Sequence, residues 1–91
     1  MTTQEIHNEI TAIMEDWNFS TLYTNEVVDG KNRSLFQSPD FTFGVDTTET
    51  SKLVLNIFIS ATGELFQEDE EVEDLEDFQD FINAFVNQVF I

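Results

Sequence analysis

The chain has 91 residues, 41% of them apolar and ten of them Phe, and its 19 Asp and Glu face three Lys and Arg for a formal net charge of −16. That length predicts one domain over residues 1–91, and the apolar content excludes the low-hydrophobicity, high-charge regime of disordered chains. The lack of Cys excludes a disulfide, a thiolate metal site and a thiol nucleophile; no stretch approaches the ~18 apolar residues of a membrane span.

Roughly 2–8 charges keep a small domain in solution, and self-repulsion beyond that destabilises a compact state. The excess therefore points to a partner. The same sign sets against direct contact with nucleic acid or with an anionic membrane surface. Adaptation to high salt is the plain competing explanation, and the abundance of Asn, Ile and Phe speaks against it.

In chain order, Thr2 and Glu5 have the capping-box spacing, and Ile6, Ile10, Ile13, Met14 and Trp17 recur at helical spacing, predicting a helix over 3–17. Glu5, Glu9 and Asp16 share a flank of it, and Asn18 stands at its end. Residues 20–28 are rich in β-formers and lead into the turn pair Asp29-Gly30. A second strand is expected at 33–37, then a break at Ser38-Pro39-Asp40, with Pro39 at a bulge or an edge. Phe41, Phe43 and Val45 alternate with Thr42, Gly44 and Asp46, as in a half-buried strand. Residues 47–52 read as a loop.

Residues 53–61 are apolar on nearly both faces and read as the central strand. Thr62-Gly63 makes a turn, and residues 64–67 either add a short strand or extend the preceding one. From about Glu70 to Val89 the period is helical, with Leu75, Phe78, Ile82, Phe85, Val86 and Val89 on one face. Asp69, Glu73, Glu76, Asp77 and Asp80 fall on the other. The fold class is α+β: a helix, three to four antiparallel strands and a C-terminal helix, with both helices on one sheet face. The opposite sheet face calls for a cover, for which a second copy of the chain is a candidate. Val89, Phe90 and Ile91 close the core or make such a dimer contact.

Familiar catalytic chemistry finds little to work with. His7, the one histidine, lies at the edge of the first apolar stripe with no evident partner and reads as an ordinary helix-surface residue. There is no nucleophile elbow and no Gly-rich phosphate loop. The carboxylates are crowded on an exposed helix, with no EF-hand spacing. No catalytic residue, metal site or cofactor is assigned, and an enzyme is not expected.

The informative constellation is the acidic stripe on the second helix. Carboxylates at i, i+4 and i+7 stand ~6 Å and ~10.5 Å apart along the axis, a row of charge comparable to duplex DNA with one phosphate per ~1.7 Å. Asp69, Glu70, Glu73, Glu76, Asp77 and Asp80 are the main partner-binding candidates; Glu5, Glu9, Asp16 and Glu68 are secondary. A solvated helix face is the ordinary reading of such a run. Against it, the stripe has no Lys or Arg four residues away, and the basic residues are confined to the middle of the chain.

The short acidic chain, its element order and the run EDLEDFQDFINAFVNQVF, residues 73–90, resemble phage-encoded acidic DNA-mimic inhibitors of the anti-CRISPR or anti-restriction type. The resemblance is one of size, charge and order of elements. It implies a cytoplasmic protein in a bacterial host that occludes the DNA-reading surface of a basic DNA-binding protein, such as a CRISPR effector or restriction nuclease. Two alternatives share the composition: an immunity or antitoxin protein neutralising a basic toxin, and a secretion-type chaperone or adaptor acting as a homodimer.

Overall fold

The structure is a computed structural model that describes residues 2–47 and 52–89. Its elements are α1 (Thr3–Asp16), β1 (Ser20–Val28), β2 (Lys31–Gln37), β3 (Phe41–Thr47), β4 (Leu53–Ile59), β5 (Leu65–Val72) and α2 (Leu75–Val89). The class is α+β, and the sheet has five strands rather than three or four, in the order β1-β2-β3-β4-β5 with every pair antiparallel. Most of the expected loop at 47–52, and the expected side-chain contacts of Val89, Phe90 and Ile91, lie outside what the structure describes.

The local signals act as their chemistry dictates. Thr2 Oγ1 accepts the Glu5 N–H at 3.2 Å while Glu5 Oε1 accepts the Thr2 N–H at 3.1 Å, closing the capping box. The Thr2 N–H, and to a lesser extent the Thr2 hydroxyl, hold the Glu5 carboxyl below its usual range. Asn18 ends α1 in the left-handed region at φ 65°. Asp29 (φ 52°) and Gly30 (φ 77°), between the paired residues Val28 and Lys31, form a two-residue type I′ hairpin turn. Pro39 falls in the β2–β3 turn, outside both strands.

Two strand assignments differ from expectation. The central strand is β3. The stretch 53–59 forms β4, an interior strand paired with β3 on one side and β5 on the other. The predicted start of the last helix near Glu70 is replaced by β5, and α2 begins five residues later at Leu75. The helical period of 70–89 continues through the acidic run by coincidence of spacing. Leu53 and Phe58 of β4 carry partners for Val72 and Leu65, and that pairing completes the open edge of β4.

One sheet face carries both helices. Phe36, Phe43, Val45, Leu53, Leu55, Ile57 and Val72 meet Ile10 and Met14 of α1 and Phe78, Ile82 and Phe85 of α2 in one buried cluster. Phe85 sits edge-on to Phe41 and Phe43 at 5.2 and 5.1 Å, and Phe19 edge-on to Phe43 at 5.1 Å. The helices run in the same direction along the sheet. α1 starts near Thr47, which His7 contacts, and is followed by Phe19 on Phe43. α2 starts just after Val72, in the same cross-sheet row as Thr47 and Leu53, and reaches Phe43 with Phe85. Both helix N-termini therefore lie at one end of the sheet.

Candidate partner-binding surface

The acidic residues do not form one helical stripe. Glu68, Asp69 and Glu70 lie on β5, Glu73 in the bend that follows, and Glu76, Asp77 and Asp80 on α2. All are exposed except Glu70, which is half-buried. The arrangement is a corner: an acidic edge strand, a bend and the first turns of a helix. Beyond Asp80 the exposed side of α2 turns neutral, with Asn83, Ala84, Asn87 and Gln88. The acids thus crowd the end of the molecule where both helices begin. Helix N-termini carry partial positive charge, which eases the repulsion among Glu76, Asp77 and the neighbouring bend. Asp74 Oδ1 accepts the Asp77 N–H at 2.9 Å, so one of these carboxylates also caps α2.

β5 is an edge strand with a bulge built of acids. Gln67 faces Ile57 and Glu70 faces Leu55, so Glu68 and Asp69 together oppose Asn56 alone. Asp69 adopts φ 51°, and its N–H is taken by Asn56 Oδ1 at 3.1 Å. Gln67 Nε2 donates to Glu70 Oε2 at 2.9 Å across the bulge. Charge and a bulge on an edge also protect it against pairing with other chains. Part of the acid on β5 therefore has a structural use.

Among the secondary candidates, Glu5 and Glu9 are exposed near the start of α1, at the same end of the sheet as Glu76 and Asp77. Asp16 is exposed at the far end of α1, and the structure separates it from the rest. Glu71 and Asp74 belong to the acidic corner although the helical period does not pick them out. No local alternation marks Glu71, because residues 65–72 read LFQEDEEV and are interrupted by a bulge. Cations enter the corner at Lys52, whose Nζ lies 4.0 Å from Glu73 Oε1. Arg33 is engaged elsewhere: its Nε and Nη2 donate to the two carboxylate oxygens of Asp46 at 2.6 and 3.0 Å. These bonds raise the Arg33 guanidinium above its already high value.

His7 is not a surface residue. Its side chain is fully buried under α1, with Nδ1 2.6 Å from Ser34 Oγ and Nε2 against Thr47 Oγ1. Proton directions follow from the neighbours. Ser34 Oγ accepts the Asn25 N–H at 3.0 Å, which leaves its own proton for Nδ1. Thr47 Oγ1 donates to the Asn32 carbonyl at 3.4 Å, which leaves a lone pair for Nε2–H. A neutral imidazole satisfies the whole chain of bonds. Burial pushes the His7 pKa down, and the charge of Asp46 opposes this more weakly. This polar cluster was invisible to helical periodicity, because its members lie 27 and 40 residues from His7 in sequence.

Among the described residues no group of three or more His, Cys, Asp or Glu is placed to hold a metal ion. No helix of the described residues is long and apolar enough to cross a membrane. No protein-family model matches the chain, no curated protein matches it, and no solved structure matches it.

Proposed function

We propose that this protein is an acidic inhibitor that binds and occludes the basic, nucleic-acid-reading surface of a DNA-processing protein, acting in the cytoplasm of a bacterial host. The observation that supports this reading is the gathering of Glu68 to Glu71, Glu73, Asp74, Glu76, Asp77 and Asp80 at one corner of the fold. A strand edge, a bend and a helix start present these carboxylates over a surface, where a single helix would give only a line. Such a surface suits Arg and Lys arrayed to contact phosphates, and its field would steer fast association with a basic partner. Binding rather than catalysis is further supported by His7, whose two ring nitrogens are engaged inside the core.

The test uses the tagged protein to capture partners from bacterial lysate, with elution by a salt gradient and by duplex DNA. Recovery of a DNA-processing enzyme that salt releases and its own DNA displaces supports mimicry. The double variant Glu76→Lys with Asp80→Lys is expected to weaken that capture at least about 30-fold, as for loss of two central charges at a steered interface, with circular dichroism unchanged. Undiminished capture by this variant would place the interface elsewhere. A partner that neither salt nor DNA displaces would overturn the reading in favour of an adaptor.

A further inference from the structure

We infer that the helix-free face of the sheet is a self-association surface, on which a second copy of this chain packs sheet to sheet. The strand register defines this face in rows. Glu26, Arg33, Asp46, Val54 and Glu71 form one row across all five strands. Tyr23, Leu35, Gly44 and Asn56 form the next, and Gln37, Thr42, Phe58 and Leu65 the one after. Val28 and Lys31 begin it on the other side. Neither helix covers these residues, since both pack on the opposite face.

Charge selects the occupant. Two of the three basic residues of the chain, Lys31 and Arg33, stand on this face with three carboxylates, Glu26, Asp46 and Glu71. Glu68 and Asp69, opposite Asn56 in the β5 bulge, add two carboxylates at the margin, so two cations meet five anions for a local balance of −3, on a chain whose total is −16. Arg33 and Asp46 neutralise each other at the centre. A basic partner is drawn to the acidic corner, whereas a second acidic copy meets its least repulsive surface at the neutralised centre of this face, with the carboxylates of β1 and β5 at the margins. Apolar contact is provided by the half-buried Leu35 and Phe58, with Leu65 47% exposed at the margin.

Shape agrees with charge. Gly44 carries no side chain at the middle of the face, and with Arg33, Leu35, Asn56 and Phe58 it frames a shallow slot of about 220 Å³. In a two-fold pairing the same slot and the same projecting side chains occur on both sides, so Phe58 or Leu35 of one copy can enter the slot of the other. Five strands ~4.8 Å apart and seven residues of ~3.3 Å give a face of about 500 Å². A face-to-face pair covers about 1,000 Å², the lower limit for a specific interface. The dimer is therefore a weak one, in equilibrium with monomer.

Sedimentation velocity over a range of protein and salt concentrations tests this directly. Screening the repulsion between two acidic copies should strengthen the dimer as salt rises from about 0.02 to about 0.5 M, opposite in sign to capture of a basic partner. Phe58→Asp is expected to raise the dimer dissociation constant about 30-fold or more. Gly44→Val guards against a variant that merely unfolds. A Cβ at position 44 meets Leu35 Cδ1 at 3.7 Å and Asn56 O at 3.9 Å, ordinary contacts, and the valine methyls beyond it occupy the slot, so protein with wild-type circular dichroism should be monomeric. Glu76→Lys with Asp80→Lys should leave the dimer intact, which separates this inference from the proposed function. Wild-type protein that stays monomeric at high salt overturns it. So does a dimer that survives both Phe58→Asp and Gly44→Val, or a loss of lysate capture in those two variants without any dimer.

Discussion

At the scale of single residues, His7 shows how a side chain changes meaning when the chain closes. Ser34 and Thr47 reach it from β2 and β3 and turn the edge of an amphipathic stripe into a sealed polar lock. The lock also holds a strand irregularity, because the Ser34 hydroxyl that faces His7 takes the N–H of Asn25, at φ 53° in a bulge of β1. Replacing His7 with Ala should cost about 2–4 kcal/mol, from unpaired buried hydroxyls and a cavity, read from urea unfolding. The folded-state pKa of His7 is lowered by burial, so below the ordinary imidazole value of ~6.5 the unfolded chain binds the proton more readily. His7 thus contributes stability in full above about pH 6.5, and that contribution is lost as pH falls from there through its folded pKa. Unfolding measured between about pH 7 and 5.5 should show this decline, and His7→Gln should flatten it.

At the scale of elements, the reach of local sequence is clearest at α1. Its capping box, apolar stripe and end at Asn18 are written within a few residues of each other, and the structure keeps all three. Thr2→Ala should lower stability by about 1 kcal/mol through loss of the side-chain acceptor, measurable as a fall in Tm. The β5–α2 boundary is the opposite case. Asp and Glu disfavour strands, and an acidic run is welcome in the first turn of a helix, so the local signal for residues 70–74 points to helix. β5 forms there because Leu65 and Val72 bracket the acids with apolar contacts to β4, and because β4 would otherwise leave a hydrogen-bonding edge bare. The candidate site inherits this correction. Its charges were legible one by one, while their division between an edge strand and a helix was not.

At the scale of the whole molecule, −16 charges are carried on a body measuring 34 × 25 × 20 Å. Screening acts over about 10 Å at 0.1 M salt, so most of these charges repel one another at low ionic strength. Thermal unfolding should therefore shift upward by about 5 °C or more between about 0.01 and 0.5 M sodium chloride, equivalent to about 1 kcal/mol in a chain of this size. A Tm that ignores salt would mean that the fold neutralises its charge more fully than the ion pairs Arg33–Asp46 and Lys52–Glu73 account for.

The sequence by itself determined the α+β class, the two amphipathic helices, the Asp29-Gly30 hairpin and the sign and excess of the charge. These rest on short-range periodicity, turn chemistry and composition, which need no knowledge of distant residues. Tertiary structure decided the fifth strand, the middle place of β3, the burial of His7 and the gathering of acids at one corner. Each of these depends on which backbone edge, which buried hydroxyl or which row of a sheet a residue meets, and such partners lie tens of residues away, where no local period can name them.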